Sequence, residues 1–138
     1  MQVGVNMGTE KIIKEWIKSA DEDFDAVMVL FNGKKYVQSL FFGHLTLEKL
    51  LKALYAKVNP EQPHAPKSHD LLFLAKKCHL EPCAEISKFG IINTFNMACR
   101  YEDEKREFYK LCTSDYAKQH IKHIEEARKW LKEKLTKR

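Results

Sequence analysis

The chain has 138 residues, enough for one hydrophobic core and too few for two ordinary domains. Its hydrophobic fraction is 44% with sparse Gly and Pro, as in globular proteins, and no apolar run approaches the ~20 residues that span a bilayer. The net charge is +5, and from Ala117 onward there are eight basic and three acidic residues, which accounts for the whole excess. Such a run reads either as a solvated helix face or as a surface for nucleic acid or an acidic partner. The absence of a separate basic tail favours the solvated face.

Residues 1–8 show no basic stretch followed by an apolar one, so they read as an N-terminal extension rather than a signal peptide. The four cysteines, Cys78, Cys83, Cys99 and Cys112, match no C-x2-C spacing. Free thiols in a reducing cytoplasm are expected, with no metal and no cofactor.

A first helix is predicted over 10–31, capped by Thr9. Its apolar stripe is Ile13, Trp16, Ile17, Ala20, Phe24, Val27 and Phe31. Asn32-Gly33 should end it in a left-handed turn, and the short break implies an antiparallel partner over 35–57. That second helix is apolar over much of its circumference: Val37, Leu40, Phe41, Leu47, Leu51 and Leu54, widened by Leu45, Leu50 and Tyr55. It should therefore be central. Yet His44, Glu48 and Lys52 run along one row of it at four-residue steps, where polar groups are costly unless paired. Pairing around Glu48 is the structural expectation; a ligand contact is the functional one.

Three prolines within 60–66 forbid helix and stiffen a loop. Ser68 is predicted to cap a short helix with Asp70 in its first turn and Leu71, Leu72 and Leu74 as its apolar part. A fourth helix is expected over 83–100, with the stripe Ile86, Phe89, Ile92, Phe95 and Cys99 and with Gly90 allowing a close helix contact. Residues 101–113 are charged and weakly periodic, hence a loop or a frayed turn. A last helix begins at Ser114 with the stripe Ala117, Ile121, Ile124, Ala127, Leu131 and Leu135. The fold class is all-α: an up-and-down bundle of four long helices plus one short one, in a single domain over 9–136.

Several of these residues together carry a resemblance. They are Trp16 with Ala20, Asp23 and Ala26 on the first helix, and Phe41-Phe42-Gly43-His44 through Glu48, Lys52 and Leu54 on the second. His69-Asp70-Leu71 before the short helix and Arg100-Tyr101 after the fourth complete the set. Their order resembles a HEPN domain (higher eukaryotes and prokaryotes nucleotide-binding). The resemblance implies a small prokaryotic helical domain that forms a homodimer. It implies work beside a minimal nucleotidyltransferase, often in a toxin–antitoxin pair, and binding of nucleotide or RNA.

Many such domains are metal-independent ribonucleases with an Arg followed four to six residues later by His. Here Arg100 matches the Arg, but the His positions hold Lys105, Arg106 and Glu107. RNA cleavage without metal needs a proton acceptor, and Arg cannot serve. Tyr109 and His120 are the alternatives by residue type.

The expected function is therefore a binding and interaction module without catalytic residues, the alternative being a divergent ribonuclease using Arg100. The phosphate- or nucleotide-binding candidates are Arg100, Tyr101, His44, Glu48 and Lys52, and Trp16, His69 and Asp70 are expected to be structural. His120 and His123, one helical turn apart, lack an evident third metal ligand.

Overall fold

The computed structural model describes residues 7–137, and among these every regular element is helical. Three long helices form the frame: α1 (Met7–Asn32), α2 (Tyr36–Val58) and α6 (Ser114–Thr136). Between α2 and α6 lie α3 (Leu71–Lys77), α4 (Phe89–Asn93) and α5 (Glu102–Leu111), with single 3-10 turns at Ile86–Lys88 and Met97–Cys99. The chain is thus the all-α bundle its periodicity implies. Of the expected N-terminal extension, residues 1–6 lie outside the described residues, while Met7 and Gly8 already belong to α1.

The helix α2 is central because it is apolar on both sides. One side faces α1 antiparallel to it: Lys49 Nζ is 2.7 Å from Ser19 Oγ and 2.7 Å from Asp23 Oδ2, and Ser39 Oγ donates to the Val27 carbonyl at 2.8 Å. The other side takes α6, which runs parallel to α2. Gly43 lies against Ile124, and further along Lys57 Nζ donates to the carbonyls of Lys134 (2.8 Å) and Leu135 (3.2 Å), as well as to that of Lys137. A cation on the last carbonyls of α6 satisfies orphan acceptors and opposes the negative end of its dipole. Two parallel helices need a crossing connection, and residues 59–113 supply it.

Local expectations hold within the frame and fail at its joints. Thr9 is not a cap: it lies inside α1, and its Oγ1 donates to the Pro60 carbonyl at 2.9 Å, tying the proline loop to the bundle. The left-handed residue of the α1–α2 turn is Lys34 (φ 63°), not Gly33. Asp70, not Ser68, caps α3, accepting from Leu72 N (3.0 Å) and Phe73 N (3.3 Å), while Ser68 Oγ accepts from Asp70 N at 3.1 Å.

The long helix expected over 83–100 is broken. Asn93 turns its side chain to α3, accepting from Leu71 N (2.8 Å) and donating to Asp70 Oδ1 (2.9 Å), and the Thr94 hydroxyl bonds back to the Ile91 carbonyl. Side chains of this type compete with the helical ladder. The break lets Phe89, Ile92 and Phe95 reach the core and leaves Cys99 exposed. The supposed loop over 101–113 is largely the helix α5. Its first turn, Glu102-Asp103-Glu104, suits the positive end of a helix dipole, and only Phe108 of its side chains is buried.

The glycine that permits close approach is Gly43, where a Cβ would come within 2.5 Å of Ile124 Cδ1; at Gly90 the nearest atom is Leu72 Cδ1 at an ordinary 4.0 Å. All four cysteines are free thiols, and burial pushes Cys78 and Cys112 up to about 12. Part of the basic charge of α6 is engaged internally. Asp21 of α1 takes Lys132 (2.6 Å) and Arg128 (3.2 Å), and Arg128 also lies over the Phe24 ring at 4.3 Å.

Candidate functional site

The polar row of α2 is buried and paired. Glu48 is its centre. One carboxylate oxygen, Oε2, is 3.0 Å from Lys52 Nζ; the other, Oε1, is 2.9 Å from His69 Nδ1 and 3.9 Å from His44 Nδ1. His44 is fully buried, and its Nε2 is 2.8 Å from the His69 carbonyl. A carbonyl can only accept, so Nε2 carries the proton and Nδ1 is the bare nitrogen. Burial pushes His44 below its ordinary value, outweighing the pull of the Glu48 carboxylate.

The same logic fixes His69. Its Nδ1 meets a carboxylate and donates, so in the neutral ring Nε2 is the acceptor. The His69 side chain is 59% exposed, whereas that of Glu48 is 6% exposed. The cluster therefore grades from buried carboxylate to open imidazole. Lys52 extends it in the other direction, its Nζ lying 5.6 Å from the centroid of Trp16. That ring also lines a pocket of about 300 Å³ with Ile12, Glu15, Ser19 and His64. Asp70 follows His69 and caps α3, and Asn93 binds it from α4.

Arg100 and Tyr101 are in a different place, at the start of α5. Arg100 Nη1 donates to the Thr94 carbonyl at 2.5 Å, its Nε is 4.0 Å from Glu104, and its guanidinium carbon lies 5.2 Å from the Phe108 ring centroid. Tyr101 is 78% exposed. None of these contacts is shared with His44, Glu48 or Lys52. Adjacent residues of the crossing segment hold parts of each: Asn93 binds Asp70, next to His69, and Thr94 holds Arg100.

A family model described as HEPN domain matches residues 13–135, nearly the whole chain. The chain belongs to the HEPN family. No curated protein and no solved structure matches it significantly. Membership sets this HEPN domain among nucleotide- and RNA-related modules. No helix among the described residues is long and apolar enough to cross a membrane.

The ribonuclease spacing of other HEPN domains falls on α5 here. Lys105 pairs with Glu102 at 3.5 Å and Glu107 with Lys110 at 3.4 Å, both as surface ion pairs. Neither substitute named by residue type lies free beside Arg100. Tyr109 accepts a hydrogen bond from Gln38 Nε2 at 2.8 Å. His120 is buried, with its ring centroid 4.4 Å from that of Tyr116, 5.4 Å from Phe95 and 5.3 Å from His123. Burial and the neighbouring Lys88 lower both His120 and His123, with His123 adding to the effect on His120. Among the described residues no third metal-ligating side chain joins them.

Sequence spacing does not mark Asn93, which falls within the helix expected over 83–100 and instead bonds to α3 and Asp70. His69, expected to be structural, ties the end of the proline loop to Glu48.

Proposed function

We propose that this HEPN domain is a nucleotide- or RNA-binding interaction module that acts as a homodimer beside a minimal nucleotidyltransferase, in a toxin–antitoxin-like pair. A prokaryotic cytoplasm is the setting that goes with this reading. The observation that carries it is the Arg100–Tyr101 pair. Arg100 holds its guanidinium over the Phe108 ring and gives Nη1 to a backbone carbonyl, which fixes a cation beside Tyr101. Tyr101 beside it offers an open aromatic face. Forked donors match phosphate and an aromatic ring stacks on a base. Glu102, Asp103 and Glu104 close by keep the interaction weak and sensitive to salt. Dimerisation is supported by the large apolar side chains left at the surface, among them Val29 (71% exposed), Leu72, Phe73 and Ile91.

The test is fluorescence anisotropy of a short labelled RNA and of a labelled nucleotide with wild type and Arg100→Ala at low and moderate salt. Loss of one charged hydrogen-bonding group should weaken binding roughly tenfold or more, with a melting temperature within a few degrees of wild type. Equal affinity in the two proteins would remove Arg100 from the site. Light scattering on the same samples should give twice the 16.2 kDa chain mass; a single-chain mass at micromolar concentration would remove the dimer.

A further inference from the structure

An apolar pocket of about 280 Å³ lies between the first turns of α2 and the crossing segment. Gln38, Phe41 and Phe42 line it from α2, and Met97, Lys105 and Tyr109 line it from the other side. The Phe41 and Phe42 rings meet edge to face, 5.7 Å apart at 83°. Tyr109 is 53% exposed, and its hydroxyl accepts from Gln38 Nε2 at 2.8 Å. Among the described residues no second hydrogen bond reaches the Gln38 amide. The pocket therefore combines three aromatic rings with one amide.

Its walls are tied to the Arg100–Tyr101 pair. The Arg100 N–H donates to the Met97 carbonyl at 3.3 Å, and the Lys105 N–H donates to the Tyr101 carbonyl at 2.9 Å. The backbone of Arg100 and Tyr101 thus bridges two residues of the pocket wall. Phe108, which carries the Arg100 guanidinium, directly precedes Tyr109.

We propose that this pocket takes the base of the nucleotide whose phosphate Arg100 holds, with Gln38 reading the base edge. The proposal rests on the Arg100 reading above and deepens it, because it gives the base a place and names the residue that recognises it. The volume is at the small end for ligand sites, which suits a base rather than a whole nucleotide. Flat heteroaromatic rings stack on aromatic side chains, and every base edge carries a donor beside an acceptor, which an amide complements. An aliphatic side chain of a protein partner would fill the same apolar space and leave the amide with nothing further to bond. One ribose joins a base to its 5′-phosphate, and one hydrogen bond joins each wall to the Arg100–Tyr101 backbone, so a single nucleotide reaches both parts. Tyr101 does not line the pocket and stays open to the next base of a strand.

The test is titration of 2-aminopurine riboside 5′-monophosphate, whose fluorescence falls when its base stacks on an aromatic ring. Wild type, Tyr109→Ala, Gln38→Leu and Arg100→Ala are compared, with melting temperature and light scattering on the same samples. Adenosine 5′-monophosphate, adenosine and ribose 5-phosphate serve as competitors. Wild type should quench the probe, and ribose 5-phosphate should bind roughly tenfold or more weakly than adenosine 5′-monophosphate, the range that one stacked base contributes. Tyr109→Ala should remove that difference and leave ribose 5-phosphate within about twofold of wild type. Gln38→Leu keeps the apolar wall and should weaken the nucleotide roughly fivefold with the same melting temperature. Arg100→Ala should weaken both phosphates and leave adenosine unchanged.

Equal affinity of wild type for ribose 5-phosphate and adenosine 5′-monophosphate would overturn the proposal while the Arg100 reading stands. So would undiminished quenching in both Tyr109→Ala and Gln38→Leu. A single-chain mass for Tyr109→Ala beside a doubled mass for wild type would assign the pocket to a contact between copies and overturn the proposal too. Nucleotide affinity that falls in Tyr109→Ala and is untouched in Arg100→Ala would overturn the Arg100 reading and with it the shared site. Wild type that binds none of these compounds would overturn both.

Discussion

The bundle of α1, α2 and α6 and the crossing segment over 59–113 bury their backbones by different means. In the bundle, long regular helices satisfy their own hydrogen bonds, and fully buried side chains such as Leu40, Leu47, Leu50, Ile124 and Leu131 supply the contacts between them. In the crossing segment the helices are short, and side chains do the satisfying: Asp70 caps α3, Asn93 reaches both α3 and Asp70, and Glu104 accepts from the Tyr101 backbone at 3.3 Å. The first solution yields a rigid frame with little chemistry. The second leaves polar groups poised at the surface, the Arg100–Tyr101 pair among them, while the Glu48 cluster lies where the crossing segment meets the frame.

The sharpest way to break this contrast is to attack the closest approach in the frame. Gly43→Leu must displace buried Ile124 and separate α2 from α6. It should cost about 3 kcal/mol or more, a fall in melting temperature of roughly 10 °C, whereas Gly90→Ala in the crossing segment should stay within a degree or two. Equal thermal shifts in the two variants would show that the frame is not the tightly packed part.

At the seam, Glu48→Ala leaves Lys52, 8% exposed, without its carboxylate and should cost about 1–3 kcal/mol. Replacing Glu48 and Lys52 together by Leu and Met should cost less than the single change. Denaturation curves in which the double variant is the weaker protein would mean that the ion pair itself, rather than the unpaired charge, dominates.

In the crossing segment, Asp70→Ala removes a cap and a bond to Asn93 and should cost about 1 kcal/mol, visible as a small shift in urea midpoint. No shift would place the order of α3 in its apolar contacts alone.

Acid acts on the frame through histidines that burial lowers: His44 of α2, at the seam with the crossing segment, and His120 and His123 of α6. The unfolded chain protonates them near the ordinary value of 6.5, the folded chain only at lower pH. Between those points the unfolded state holds more protons, so stability is complete above about pH 7 and declines as pH falls through the lowered folded values. A melting temperature at pH 5 equal to or above that at pH 7.5 would contradict this.

Legibility in the sequence followed the same division. The stripes of the first two helices and the last one could be read because each long helix repeats its apolar spacing over several turns. Tyr101 to Leu111 could not: Phe108 is the only side chain α5 buries, so there was no stripe to find. Residues 83–100 carried a good stripe and still broke, because Asn93 and Thr94 had bonding partners that no local pattern encodes. The Glu48–Lys52 contact was visible as an i, i+4 pair, whereas His69 lies 21 residues from Glu48 and their bond appears only when the proline loop folds back.

By itself the sequence determined the fold class, the central place of α2 and the pairing along its polar row, since these follow from periodicity and from the cost of burying unpaired charge. It also carried the HEPN resemblance that the family match bears out. Tertiary structure alone decided that α6 runs parallel to α2, that the crossing segment is broken into short helices, and that Glu48 orients His69. Each of these depends on contacts between residues far apart in the chain, where local spacing exerts no constraint and the competition between a helix's own hydrogen bonds and a distant partner is settled only by packing.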